Sequence, residues 1–275
     1  LYPSSIIEKN ISHETFICTK EELENNPEKY KWLDINSKDI ECIEYDDYNY
    51  ELIGKTTHKT KANTTTTCYF HAPKDGVEQK DYPKGIVPTI LNTLLEQRRN
   101  TRKRIKLTDD EDKKKVLDGL QLAYKVTANS VYGQMGAKTS PIYFNKLAAC
   151  TTAIGRERIY DAKWGVQGSE ETGTGGWWDS DDPRIGGKAL GVVKPPKVIY
   201  GDTDSVFIKW SREKRMEDGT IKTLEGAEAL EQSIEWGKAA GEWVTKYRLN
   251  PTFEEDEERG IKKPQDLEYE KTFYP

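Results

Sequence analysis

The stretch VIYGDTDSVF, residues 198–207, sets two carboxylates, Asp202 and Asp204, one residue apart between β-branched and aromatic neighbours. Tyr200-Gly201 before them and Ser205-Val206-Phe207 after them read as a strand, a tight turn and a second strand. Like charges repel and resist burial, so a buried position would demand a counter-charge. A hairpin tip removes that difficulty, because both acids stay in water and within reach of a ligand. A bare Asp-x-Asp is ordinary turn chemistry. Here the β-branched walls hold the pair in place, and no His or Cys adjoins it. Such a donor set suits a hard, oxygen-seeking cation such as Mg2+.

Upstream of the hairpin the pattern is helical. In PTILNTLLEQRRNTRKRIKL, residues 88–107, Ile90, Leu94, Arg98 and Arg102 recur at i+4 and form a stripe that is apolar at one end and basic at the other. The polar turn TDDEDKK follows, with Thr108 and Glu111 at capping-box spacing for a second helix running to about Tyr132, where Gly133 would end it. So short a turn predicts an antiparallel helical hairpin. Lys125, Asn129 and Tyr132 fall at i, i+4 and i+7, on one face of that second helix. A Lys–Arg face of this kind can be a solvated basic surface. It is also what a triphosphate requires, because charge builds on its oxygens during displacement.

The remaining segments are less specific. Residues 1–82 mix a short apolar start, a charged loop at EELENNPEKYKW, and the strand patterns DIECIEY and KTKANTTTTCYF. A third helix is expected over 145–164. The Gly-rich segment 165–191 reads as a surface loop whose Trp177 and Trp178 pack locally. Residues 227–247 read as a helix, FEEDEERG as a solvated acidic loop, and LEYEKTFYP as an alternating strand. Both ends of the chain look cut, which predicts an internal fragment of a longer protein.

Composition narrows the function classes. The 275 residues are 35% hydrophobic and 32% charged, with a net charge of −5. That balance argues against a protein that coats nucleic acid, so any nucleic-acid site must be a local basic face. The four cysteines, Cys18, Cys42, Cys68 and Cys150, show neither zinc-ligand spacing nor a disulfide framework, as expected for free thiols in a reducing compartment. No run spans a bilayer and no signal peptide is seen. His13, His58 and His71 have no partner at a recognisable spacing and read as surface residues.

Four motifs together resemble the family B DNA polymerases. YGDTDS (200–205) looks like their third palm motif, and KVTANSVYG (125–133) like the fingers motif K-x-x-x-N-S-x-Y-G. LYPSSII (1–7) looks like the tail of the first palm motif, D-x-x-S-L-Y-P-S-I, with a second Ser similar to polymerases of large double-stranded DNA viruses. LEYEKTFYP (267–275) resembles the palm strand that leads toward the thumb. The motifs occur in the family's order along the whole chain.

The resemblance implies an α+β fold, a palm of antiparallel sheet and helices interrupted by a helical-hairpin fingers insertion. Residues 1–84 and 136–275 would be palm, with the Gly-rich loop at 165–191, and 85–135 fingers. It implies template-directed nucleotidyl transfer from a dNTP to a primer 3′-hydroxyl in DNA replication, with two Mg2+ ions. Asp202 and Asp204 would be the catalytic metal ligands, with the Leu1 backbone carbonyl as a further ligand. Arg98, Arg102 and Lys125 would contact the triphosphate, and Asn129 would support that pocket. Tyr132 would lie near the nascent base pair and Gly133 would allow close backbone approach. Tyr2 would pack under the sugar and block a ribose 2′-hydroxyl. Thr203 and Lys271 would touch DNA, and Glu268 and Glu270 would line the palm.

The first-motif Asp would precede Leu1, so the chain by itself is expected to hold half of the metal site and to be inactive. Partners implied are primer–template DNA, dNTP and, in the full-length protein, a processivity factor, at an intracellular site such as the nucleus or a viral replication compartment. Two rival readings are a metal-dependent nuclease, which would not need the Lys125–Asn129–Tyr132 face, and a catalytically degenerate DNA-binding module, against which the intact acids and cations speak.

Overall fold

The computed structural model of the protein describes residues 1–53, 56–72, 84–169, 175–250 and 265–273. They are α+β, and they divide into two compact units: Tyr2–Ile154, and Leu1 together with Gly155–Pro275. The acidic FEEDEERG segment lies outside the described residues.

The Tyr2–Ile154 unit begins with α1 (Tyr2–Glu8), β1 (Phe16–Thr19), α2 (Lys20–Asn25), β2 (Ile40–Ile53) and β3 (Thr56–His71). The strands form an antiparallel sheet in the order β1-β3-β2. Alternation decides the two faces. Cys68 and Phe70 point into the main core with Ile6, Ile43 and Leu91, while Tyr69 points the other way onto Cys18 and Tyr30. The charged stretch after Thr19, expected as a loop, is helical over Lys20–Asn25. A complete capping box explains this: the Glu22 N–H donates to Thr19 Oγ1 and the Thr19 N–H donates to the Glu22 carboxylate.

The helical hairpin follows as α3 (Ile86–Lys106) and α4 (Glu111–Gly136), and α1 packs on both. Two local expectations are corrected. The α4 N-cap is Asp110, which accepts from the Asp112 and Lys113 N–H groups, whereas the Thr108 hydroxyl donates back to the Arg104 carbonyl. An Asp two residues nearer the helix supplies a charged cap, and it wins. Gly133 does not end the helix, which runs to Gly136; Met135 on that last turn is fully buried in the main core and holds the turn down.

The third helix, α5 (Asn145–Gln167), contains the boundary between the units, at Ile154/Gly155. The second unit then adds β4 (Lys197–Asp202), β5 (Ser205–Lys209), β6 (Glu213–Arg215), β7 (Ile221–Thr223) and α6 (Gly226–Val244), with a π-helical turn at Thr245–Leu249. Its core is built from tryptophans. Trp177 and Trp236 are buried, and Trp210 packs edge-on against Trp177 at 5.4 Å and tilted against Trp236 at 6.1 Å. The segment around Trp177 is thus not a free surface loop. The Trp177 indole N–H donates to the Ile185 carbonyl and that of Trp178 to the Gln167 carbonyl, so both rings serve packing.

The segment 265–273, which contains the described part of the stretch LEYEKTFYP (267–275) expected as a strand, has no sheet partner among the described residues. It crosses α6 at two glycines: a Cβ on Gly241 would lie 2.6 Å from the Leu267 carbonyl oxygen, and one on Gly237 2.8 Å from the Tyr269 ring. Its backbone is anchored instead by Leu267 N–H donating to Thr245 Oγ1 and by Asn250 donating to the Gln265 carbonyl. No described helix is long and apolar enough to cross a membrane.

Candidate functional site

In the second unit, β4 and β5 pair Tyr200 with Phe207, Gly201 with Val206 and Asp202 with Ser205, which leaves Thr203-Asp204 as a two-residue loop. Thr203 takes a φ of 50°, the left-handed region that a β-branched residue rarely adopts. Local hydrogen bonds hold it there. The Thr203 hydroxyl donates to Asp202 Oδ1 at 3.0 Å, and the Asp204 N–H and Ser205 hydroxyl both donate to the Asp202 carbonyl. Both carboxylates are exposed at the tip. Val198, Val206 and Ile208 on the inner face pack against the tryptophan core, and the Val198 N–H donates to the Gln167 side chain at 2.9 Å.

Leu1 falls in the same unit as the acids. On the hairpin's outer side, Phe207 lies edge-on to Tyr200 at 5.6 Å and stacks on Phe273 at 5.6 Å and 18°. Lys271 is drawn to this aromatic group, with Nζ 6.0 Å from the Phe273 ring, and it also pairs with Glu270 at 3.3 Å. A cavity of about 1120 Å³ opens here between β5, α6 and the 265–273 segment, and its lining includes Asp204, Lys209, Arg212, Glu268, Glu270 and Lys271. Lys209 and Arg212 carried no motif in the sequence; only their place at the end of β5 and just beyond it marks them.

In the other unit, the α3–α4 hairpin carries the cations. Arg98 Nε donates to Gln121 Oε1 at 3.2 Å across the two helices. Gln121 is four residues before Lys125, so Arg98 is held beside the same stripe that carries Lys125, Asn129 and Tyr132. Arg102, Lys125, Asn129 and Gly133 are exposed, and nothing lies within 4 Å of a Cβ placed on Gly133. Tyr132 is half-buried and packs on Tyr2 of α1, with ring centroids 4.4 Å apart and planes tilted by 30°. Gln121 escaped the sequence reading, although its spacing to Lys125 was a usable signal.

α1 keeps Tyr2 in register with the hairpin through a small polar knot. Asn10, at φ 50°, donates to the His71 carbonyl and accepts from the Gly85 N–H at the head of α3. The expected site residues therefore gather as two sets, one per unit: Asp202, Thr203, Asp204, Lys271 and Leu1 in one, and Tyr2, Arg98, Arg102, Lys125, Asn129, Tyr132 and Gly133 in the other.

Two carboxylates with exposed hard oxygens suit a divalent cation, and they are an incomplete cage: among the described residues no group of three or more His, Cys, Asp or Glu side chains could hold a metal ion. The cationic stripe suits a polyphosphate.

A family model for DNA polymerase family B matches residues 1–235, and the chain belongs to that family. It is 32% identical over 320 aligned positions to the DNA polymerase of Pyramimonas orientalis virus, an alignment covering all of this chain and 21% of that protein. It is 34% identical over 273 positions to the DNA polymerase of Phaeocystis pouchetii virus, covering 92% of this chain and 23% of the relative. The DNA polymerase delta catalytic subunit of Drosophila melanogaster is 34% identical over 192 positions, 70% of this chain and 14% of that protein. The chain thus spans about a fifth of the length of the viral relatives it matches.

Proposed function

We propose that the complete protein carrying this chain is a DNA-directed DNA polymerase that transfers nucleotidyl groups from dNTPs to a primer 3′-hydroxyl on template DNA. In this reading residues 1–84 and 136–275 serve as palm and 85–135 as fingers. The observation that carries it is the acidic tip: Asp202 and Asp204 are exposed on a two-residue loop fixed by its own hydrogen bonds.

Asp204 and Asp202 would hold Mg2+ with the Leu1 carbonyl, the ligand set being completed by an acid from outside this chain. Bound there, the metal supplies the positive charge that favours ionisation of the primer hydroxyl and departure of pyrophosphate. The chain's own residues do the positioning. Arg98, Arg102 and Lys125 bind the triphosphate oxygens, with Gln121 holding the Arg98 guanidinium in place. Asn129 supports that pocket and Gly133 leaves room for the incoming base. Tyr2, braced by Tyr132, occupies the space a ribose 2′-hydroxyl would need. Thr203 and Lys271 contact the primer strand.

The test is primer extension by the complete protein with primer–template, dNTPs and Mg2+. Asp204→Ala should cut extension by about a thousandfold or more, the scale on which charge stabilisation works in phosphoryl transfer, with affinity for primer–template nearly unchanged. Parallel loss of extension and DNA affinity would make Asp204 structural and overturn the reading. Degradation of labelled DNA in place of extension would assign a nuclease.

A further inference from the structure

The β2–β3 pair outruns the sheet that it belongs to. Pairing with β1 engages only Cys68, Tyr69 and Phe70 of β3, yet β2 and β3 stay paired out to Ile53 and Thr56. Every described residue of the distal ribbon except the half-buried Tyr48 is exposed, and none joins a hydrophobic cluster. A two-stranded ribbon in water is marginal alone, so a protein that keeps one has a use for its faces.

The base of the ribbon is built firmly. A bulge sets Ala62, Asn63 and Thr64 of β3 against Asp47 of β2, whose carboxylate accepts from the Thr64 and Thr66 hydroxyls at 2.9 and 2.8 Å. Bulges of this kind re-aim a strand pair. Beyond it the register is Tyr48 with Lys61, Tyr50 with Lys59 and Leu52 with Thr57. Residues directly paired share a face, so one face collects two tyrosines and two lysines and the other takes Glu51, opposite His58. Lys59 Nζ stands 3.9 Å from the Tyr48 ring centroid and 5.9 Å from that of Tyr50, and Lys61 pairs with Asp46 at 2.9 Å. Tyr50 remains 66% exposed and Leu52 70% exposed.

We propose that this face, centred on Tyr50 and Lys59, binds single-stranded DNA. The chain's net charge of −5 repels phosphate in general, so a nucleic-acid surface must be local, cationic and supplied with rings. The ribbon face meets that description through Lys59 between the two tyrosines, with Lys61 paired to Asp46 and the negative Glu51 turned to the opposite side. Lysines follow the phosphates while an exposed ring receives a base. The inference rests on the polymerase reading for its source of single strand, the unpaired template ahead of the primer end.

The experiment measures binding of the complete protein to a fluorescent primer–template with a long oligo-dT 5′ overhang, and to a blunt duplex of equal length. The double substitution Tyr50→Ala with Lys59→Ala should weaken overhang binding about tenfold, the scale of one lost base stack, and leave the blunt duplex unaffected. Lys59→Gln alone should lower the slope of log affinity against log salt by about 0.7. Extension at saturating DNA should be unchanged in both. Equal overhang affinity in wild type and variant overturns the proposal, and so does equal loss on overhang and blunt duplex. A wild-type protein that binds the overhang yet extends no primer overturns the polymerase reading alone.

Discussion

The β4–β5 hairpin carries its two carboxylates on a two-residue loop, whereas the α3–α4 hairpin spreads its cations along helical faces several turns long. The two regions solve the same task, presenting charge to solvent, by opposite means. Strands of six and five residues with no further sheet partner among the described residues are marginal alone. The acidic tip therefore takes its precision from what lies beneath it, the tryptophan core reached through Val198, Val206 and Ile208. The helical hairpin rests on two long helices packed on each other and, through Leu91, Ala128 and Met135, on the main core of its own unit. The comparison teaches where each site is vulnerable: the acids through a remote core, the cations only one at a time.

The largest expected effect breaks that comparison open. Trp177→Ala removes a fully buried ring and its hydrogen bond to Ile185, at a cost of about 3–5 kcal/mol. Amide exchange in the complete protein should then rise sharply over β4, β5 and α6 while α3 and α4 keep their protection. Exchange rising equally in α3 and α4 would show that the helical hairpin leans on the same core. Lys125→Ala comes next. An exposed cation in mid-helix carries little folding energy, so stability should hold, while the dNTP KM rises roughly 10- to 100-fold, as the loss of one charge-assisted hydrogen bond implies. Unchanged nucleotide use would remove Lys125 from the triphosphate site.

How far these regions were readable in the sequence follows from the range of the forces that fix them. The acidic hairpin was legible because its signals are local: alternating apolar walls, a two-residue turn, and acids where water is needed. The helical hairpin was legible in its periodicity and missed in its ends, since Asp110 and Thr108 are equally plausible caps until the backbone chooses. The segment 265–273 alternates like a strand, and nothing local reveals that Gly237 and Gly241 open a track for it across α6. The burial of Trp177 hangs on its contact with Trp210, itself packed on Trp236, both far along the chain, and so lay beyond any local pattern. The pairing of Arg98 with Gln121 was hidden for the same reason, being a contact between helices.

The smallest effect sharpens the comparison from the side of the helical hairpin's unit, where no single contact is expected to dominate. Glu22 joins α2 to α5 through Lys146 at 2.9 Å while closing its own capping box. The hydrogen bond from Lys146, first, and the Thr19 N–H, against a desolvation penalty, hold the Glu22 carboxyl below its ordinary value of 4.5. A depressed folded pKa stabilises fully above the unfolded value, and that stabilisation drains away as pH falls through the folded one. Glu22→Gln keeps a side chain that can still accept from Thr19 but loses the ion pair. With both partners about one-third or more exposed, the cost at neutral pH should be about 0.2–1 kcal/mol. Protection factors of the α2 amides measure it: the gap between wild type and variant should be present at neutral pH and close as the pH drops well below 4.5. A gap that persists in acid would mean that Glu22 acts through packing and the neutral cap, and a gap of several kcal/mol would give this unit a single pillar comparable to Trp177.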